Sequence, residues 1–150
     1  MIELGHERHI RTAPERVFGI LAGFGDIAEW ARFIQHSSLL TEQTCGVGAT
    51  RRVQMARQTL VETVTVWDEP RELAYTIDGL PPIIGAVSTR WTLVPAGSDT
   101  MVTVTTRIEP GRLPHRRLIA KQVGERLAIA SELMLAGLAE RAEAKQGSDA

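Results

Sequence analysis

The segment from Pro114 to about Lys145 constrains this chain more than any other stretch. Ile119, Val123, Leu127, Ala130, Met134 and Leu138 recur at steps of three and four residues. At about 100° per residue they form a stripe roughly 100° wide, as expected of a helix lying on a core. Thirty residues of helix reach about 45 Å, whereas a compact 150-residue domain is only about 40 Å across. The helix must cross the whole domain, so the rest of the chain has to supply an apolar surface of equal length.

That surface is a sheet. Thr-rich, β-branched runs occur at Ser37–Thr44, Ala49–Met55, Leu60–Trp67, Leu73–Asp78, Val87–Val94 and Met101–Glu109. Turn residues divide them: Gly46 and Gly48, Asp68-Glu69-Pro70, Gly79-Leu80-Pro81-Pro82, and Pro95 to Asp99. Short connections between successive strands dictate an antiparallel meander, because parallel strands need long crossovers. Leu73, Tyr75 and Ile77 share one face of their strand, as do Val87, Thr89, Trp91 and Leu93, and Val102, Val104, Thr106 and Ile108. One face of the sheet is covered and the other is wet.

Ahead of the meander, Ile2–Thr12 reads as a strand. Thr12-Ala13-Pro14-Glu15 opens a short helix, with Thr12 or Ala13 at the cap, proline at the first helical position and capping-box spacing between Thr12 and Glu15. Asp26 then caps a second short helix carrying Ile27, Trp30, Ala31 and Ile34. Pro110-Gly111 ends the sheet. One domain over residues 1–145, with a frayed tail at 146–150, accommodates the length.

Composition narrows the partners. Seventeen basic and eighteen acidic residues leave a net charge of -1, unlike the basic footprint of a nucleic-acid binder. The single cysteine, Cys45, forms no intrachain disulfide. The N-terminus lacks a signal-peptide core and no run of about 18 apolar residues occurs, so a cytoplasmic protein without membrane insertion is expected. No Cys/His cluster has zinc spacing, and Gly46-Val47-Gly48 lacks the features of a phosphate loop. Neither metal nor cofactor is expected, and a monomer or homodimer fits the pattern.

Several stretches carry a family resemblance: Ile10 to Phe18, Trp30, Gly46-Val47-Gly48 before a basic strand, Val66 to Tyr75, and Trp91 to Pro95 followed by Thr100 to Val104. In this order, and over nearly the whole chain, they resemble the START-like or SRPBCC superfamily, most closely its polyketide cyclase/dehydrase branch. The resemblance implies an α+β helix-grip fold. A curved seven-stranded antiparallel sheet would wrap a long C-terminal helix, with two short helices after the first strand. It also implies an apolar cavity between sheet and helix, entered near the short helices. Seven aromatic residues suit a hollow interior, since a pocket needs walls more than filling. Gly124 and Gly137 in the long helix suit close approach or a bend, unless they are simply tolerated.

No catalytic motif transfers from that superfamily, so candidates come from the residues themselves. Glu62 is the most informative. It faces the helix if Val64 and Val66 do, and becomes a surface carboxylate if Val61, Thr63, Thr65 and Trp67 face inward. A two-residue turn pairs Val66 with Leu73 and a three-residue turn pairs Trp67 with Leu73. Proline at the second position of a two-residue hairpin fits poorly, which favours the outward reading. Tyr75, on an apolar face, is either an oxyanion donor or a core residue with its hydroxyl at the rim. His36, after the second short helix, is an acid/base candidate at the pocket mouth or an ordinary loop histidine.

Trp30 and Phe33, at the second short helix where the resemblance implies the entrance, are candidate ligand contacts. Trp91, Thr89, Val104, Val123, Leu127 and Met134 are candidate walls. Arg126, at the stripe edge, either anchors a ligand carboxylate or snorkels to solvent. Arg90 and Arg107 alternate out of phase with the apolar face and belong outside. Arg112, His115, Arg116, Arg117 and Lys121 form a basic patch that is either a solvated face or an anion-binding surface.

Three functions fit. The first is a cyclase or dehydratase that folds an aromatic or polyketide-like molecule and assists proton transfer through Glu62, Tyr75 or His36. The second is a carrier or sensor of a small hydrophobic ligand, and the third an interaction module with a filled core. An enzyme requires an inward titratable group. A carrier requires a dry cavity of at least about 300 Å³.

Overall fold

A computed structural model describes residues 1–81, 84–110 and 114–144. Strand β1 (Ile2–Ile10) leads into helix α1 (Pro14–Ala22) and a 3-10 segment (Phe24–Glu29). Strands β2 (Ile34–Leu39), β3 (Thr50–Met55), β4 (Gln58–Asp68), β5 (Glu72–Asp78), β6 (Ala86–Ala96) and β7 (Asp99–Glu109) follow, then helix α2 (Pro114–Ala144). The strands form one antiparallel sheet in the order β1-β7-β6-β5-β4-β3-β2. This is the expected helix-grip arrangement, a meander from β2 to β7 with β1 closing against β7.

Local chemistry explains most boundaries. Pro14 opens α1 at its first position, but Ala13 is the N-cap and no side chain caps the helix, so the expected Thr12–Glu15 box does not form. Thr12 is buried, and its carbonyl accepts a hydrogen bond from the Thr100 hydroxyl at 2.7 Å. The second short helix is 3-10 in character and kinked at Asp26, and Ile34 already belongs to β2. Ser37 fastens the two: its hydroxyl donates to Gly25 O and accepts from Ala28 N.

The apolar faces expected on β5, β6 and β7 are the buried ones: Leu73 and Tyr75; Val87, Thr89, Trp91 and Leu93; Val102, Val104, Thr106 and Ile108. Arg90 and Arg107 lie on the exposed face, paired with Glu72 and Glu3. Helix α2 departs from the expected stripe. Its most buried positions are Ala120, Gly124, Ser131, Leu135, Leu138, Ala139 and Ala142, whereas Val123, Leu127 and Met134 are only half-buried. Apart from Leu135 and Leu138 these are glycine, alanine or serine, so the helix turns mainly small residues to the sheet and lies close against it.

The two helix glycines permit that approach. A Cβ on Gly137 would stand 2.1 Å from the backbone oxygen of Trp30, and one on Gly124 would meet Leu4 Cδ1 at 3.2 Å. Only Phe33 and Tyr75 of the aromatic residues border the open space between sheet and α2, and most pack on one another instead. Phe18 on Trp67, Phe24 on Tyr75 and Trp30 on Trp91 form three edge-to-face pairs with centroids 5.6, 5.5 and 6.1 Å apart. They fill the end of the core under α1 and the 3-10 segment. A second, smaller cluster of Ile84, Val87, Ile108 and Ala120 closes the other end.

Candidate functional site

Between those two clusters lies a pocket walled by β3 to β7, the 3-10 segment, Phe33 in the turn before β2, Ile34 at the start of β2, and α2. Ile27, Val53, Leu60, Ile77, Leu127 and Met134 make much of its apolar lining, and Glu62, Tyr75, Thr89, Thr106 and Ser131 supply the polar atoms. Its empty space is about 460 Å³ counted out to solvent, but only about 50 Å³ admits the centre of a water-sized sphere. The interior is not filled, but at about 50 Å³ it falls well short of the roughly 300 Å³ expected of a carrier.

Glu62 points inward, against the expectation drawn from the turn. The turn itself is as inferred, since Trp67 pairs with Leu73 and three residues connect the strands. A register shift between Val64 and Val66, however, leaves Thr65 unpaired and exposed. This bulge inserts one residue, so the alternation reverses and Leu60, Glu62 and Val64 all face the core. Simple period-two counting from Trp67 therefore gives the wrong face.

The Glu62 carboxylate, buried at 6% exposure, accepts from Arg51 Nε through Oε1 at 2.7 Å. Arg51 is buried as well and donates from Nη1 to Phe24 O at 2.9 Å. Its guanidinium lies over the Phe24 ring at 3.8 Å and the Tyr75 ring at 4.7 Å. Two aromatic faces, a carboxylate and a carbonyl thus replace the water this cation gives up. The strands position the pair directly, because Arg51 on β3 stands opposite Glu62 on β4 in the register. Sequence reading left the direction of Arg51 open. Its neighbours Val53 and Met55, two and four residues on, carried the signal, since period two places all three on one face.

Tyr75 is fully buried and its hydroxyl accepts from Trp91 Nε1 at 3.2 Å. Burial, reinforced by the Glu62 charge, pushes its phenol up to about 12 from an ordinary value of 10.0, against smaller opposing effects of Arg51 and Trp91. The phenol therefore stays protonated at physiological pH and acts as a donor rather than a base. In the same lining, the Ser131 hydroxyl on α2 lies 3.4 Å from that of Thr106 on β7. Neither hydroxyl was singled out from the sequence. Thr106 sat on an identified inward face, whereas Ser131 fell outside the stripe assigned to the helix.

Of the other candidates, Phe33, Thr89, Leu127 and Met134 line the pocket. Trp91 and Val104 are buried but stand behind its surface, within the packed core. Trp30 is likewise a core residue, and its Nε1 has no hydrogen-bond partner among the described residues. Val123 packs against the smaller cluster instead. Two assignments are corrected. His36 lies on β2, exposed and away from the pocket, because that strand starts at Ile34 and an irregularity between Ile34 and His36 turns the ring outward. Arg126 is exposed on α2 and contributes nothing to the lining, since the helix is rotated toward its small-residue face.

Among the described residues no group of His, Cys, Asp and Glu could hold a metal ion, and no helix is long and apolar enough to cross a membrane. The basic patch is only partly visible: Lys121 is exposed, while Arg112 and the side chains of His115, Arg116 and Arg117 lie outside the described residues. The tail at 146–150 lies outside them too.

Solved structures share the architecture. The Zhui aromatase/cyclase of Streptomyces sp. R1128 is 18% identical with a TM-score of 0.77, over 96% of this chain and 94% of that one. A protein of Thermus thermophilus is 20% identical with a TM-score of 0.77, over 97% and 99%. The di-domain aromatase/cyclase StfQ of the steffimycin biosynthetic pathway is 11% identical with a TM-score of 0.80, over 97% of this chain and 52% of that one. At these identities the likeness establishes the fold. No curated protein sequence matches the chain. The family described as polyketide cyclase / dehydrase and lipid transport matches residues 1–143. With a match across nearly its whole length and the helix-grip fold to go with it, the chain belongs to that family.

Proposed function

We propose that this protein binds a small, largely apolar molecule carrying a hydroxyl or carbonyl oxygen, held between the sheet and α2. One observation carries the reading: a single wall of a mainly apolar pocket presents a carboxylate, Glu62, beside a protonated phenol, Tyr75. The phenol suits a carbonyl oxygen and the carboxylate a hydroxyl, so together they would orient one end of a ligand while apolar contacts hold the rest. The family to which the chain belongs supports a hydrophobic ligand.

The same pair supports a finer reading, cyclisation or dehydration of a polyketide-like chain. Glu62 would take a proton next to a carbonyl while Tyr75 donates to the developing enolate oxygen. The competing reading, a carrier without chemistry, gains from the commitment of Glu62 Oε1 to Arg51. Two measurements together separate them. Native mass spectrometry of the purified protein is expected to reveal a bound small molecule, and incubation with a linear β-polyketide thioester analogue to release a cyclised product lacking water. Glu62→Gln is expected to abolish turnover while weakening binding about tenfold, the scale of one charge-assisted hydrogen bond. Binding without turnover leaves the carrier, and no binding at all sinks both readings.

A further inference from the structure

The inner pocket is far smaller than the roughly 300–1,000 Å³ of ordinary ligand sites, with about 50 Å³ open to a water-sized centre. A second space adjoins it. Arg32, Phe33, Leu133, Ala136, Gly137 and Glu140 bound an external groove of about 420 Å³ between the turn preceding β2 and the outer side of α2. Phe33 belongs to the walls of both. It is only half-buried, in a turn rather than inside a regular element. The groove is mainly apolar, and Leu133 on its wall is 52% exposed, with Ile129 one turn earlier at 61%. An ion pair between Arg32 and Glu140 stands at its edge. Trp30 and Gly137 in close contact fix one end, so the turn is anchored to α2 immediately beside Phe33.

From this shared wall we infer that the two spaces form one ligand track with Phe33 as its constriction, and that the ligand is elongated and amphipathic. This rests on the pocket reading above and extends it. The oxygen-bearing end sits against Glu62 and Tyr75, and an unbranched apolar tail passes Phe33 to lie along Leu133 and Ala136. The occupant of the outer groove is the distal part of the molecule held inside. Leu133 and Phe33 thereby become determinants of chain length, and neither takes part in chemistry at the inner end.

The test uses para-hydroxyphenyl ketones with acetyl, hexanoyl and decanoyl chains, titrated into the whole protein by calorimetry. Affinity is expected to rise about two- to fourfold per added methylene through the decanoyl compound, as continued burial of apolar carbon requires. Leu133→Asp, a change at an exposed position, is expected to flatten the gain from hexanoyl to decanoyl and leave the acetyl compound's affinity alone. Phe33→Ala is expected to speed association of the long compounds. Acetyl binding followed by a plateau at longer chains, or a Leu133→Asp series identical to wild type, overturns the track and leaves the inner pocket standing. Failure of every compound to bind overturns the pocket and the track together.

Discussion

Arg51 and Glu62 show how far a buried pair can be from an ornament. Each is almost wholly withdrawn from water, so removing one partner leaves a charge with nothing to solvate it. Arg51→Met is expected to cost about 3–5 kcal/mol, and the double change Arg51→Met with Glu62→Leu to recover most of that, because matched apolar groups carry no desolvation penalty. Urea denaturation of the three proteins checks this, and a double variant as unstable as the single one would refute the account. Tyr75 gives a second residue-scale expectation. Its phenol is raised from 10.0 to about 12, so between those values the unfolded chain releases a proton that the folded one keeps. Stability from this group is complete below pH 10 and lost as pH climbs toward 12, on the order of 2–3 kcal/mol. Tyr75 is the chain's single tyrosine, so phenolate absorbance during alkaline titration reads it without ambiguity. Titration at an ordinary pH in the folded state would count against burial.

Among the elements, α2 and β4 depart most from what periodicity suggests, for related reasons. The pattern in α2 correctly identified a long helix, but weighting positions by hydrophobicity aimed its largest residues at the sheet. What governs the contact is distance: Gly137 lies against Trp30 O and Gly124 against Leu4 and Ile108. Gly137→Ala should therefore lower stability by more than the 1–3 kcal/mol of ordinary overpacking, since a backbone oxygen cannot step aside. Gly124→Ala meets only the far ends of flexible side chains, and the gain of about 1 kcal/mol in helix propensity should leave it near neutral. Thermal melts of the two variants distinguish them, and equal losses would show that approach distance is not the cause. In β4, alternation was legible on either side of Thr65. The bulge was not, because nothing in a single strand's sequence says where its partner's register slips.

At the scale of the molecule, two apolar clusters close the ends of the sheet–helix sandwich and leave a narrow space between them. A ligand that fills this space binds the folded chain alone. At about one hundred times its dissociation constant it should add roughly 2.7 kcal/mol and raise the melting temperature by several degrees. Differential scanning fluorimetry with the decanoyl ketone measures that shift, and an unchanged melting temperature at saturation would contradict binding within the core. The order of elements, the antiparallel meander and the long crossing helix were all legible in the chain, because turn chemistry and hydrophobic period are local properties written residue by residue. Local alternation also put Tyr75 and Thr89 on the inward face they occupy. Packing between elements was needed to turn Glu62 inward, to bring Arg51 to it, to leave His36 and Arg126 outside, and to set Phe33 against two spaces at once. Each of those depends on a register, a rotation or an approach distance, quantities that exist only between elements.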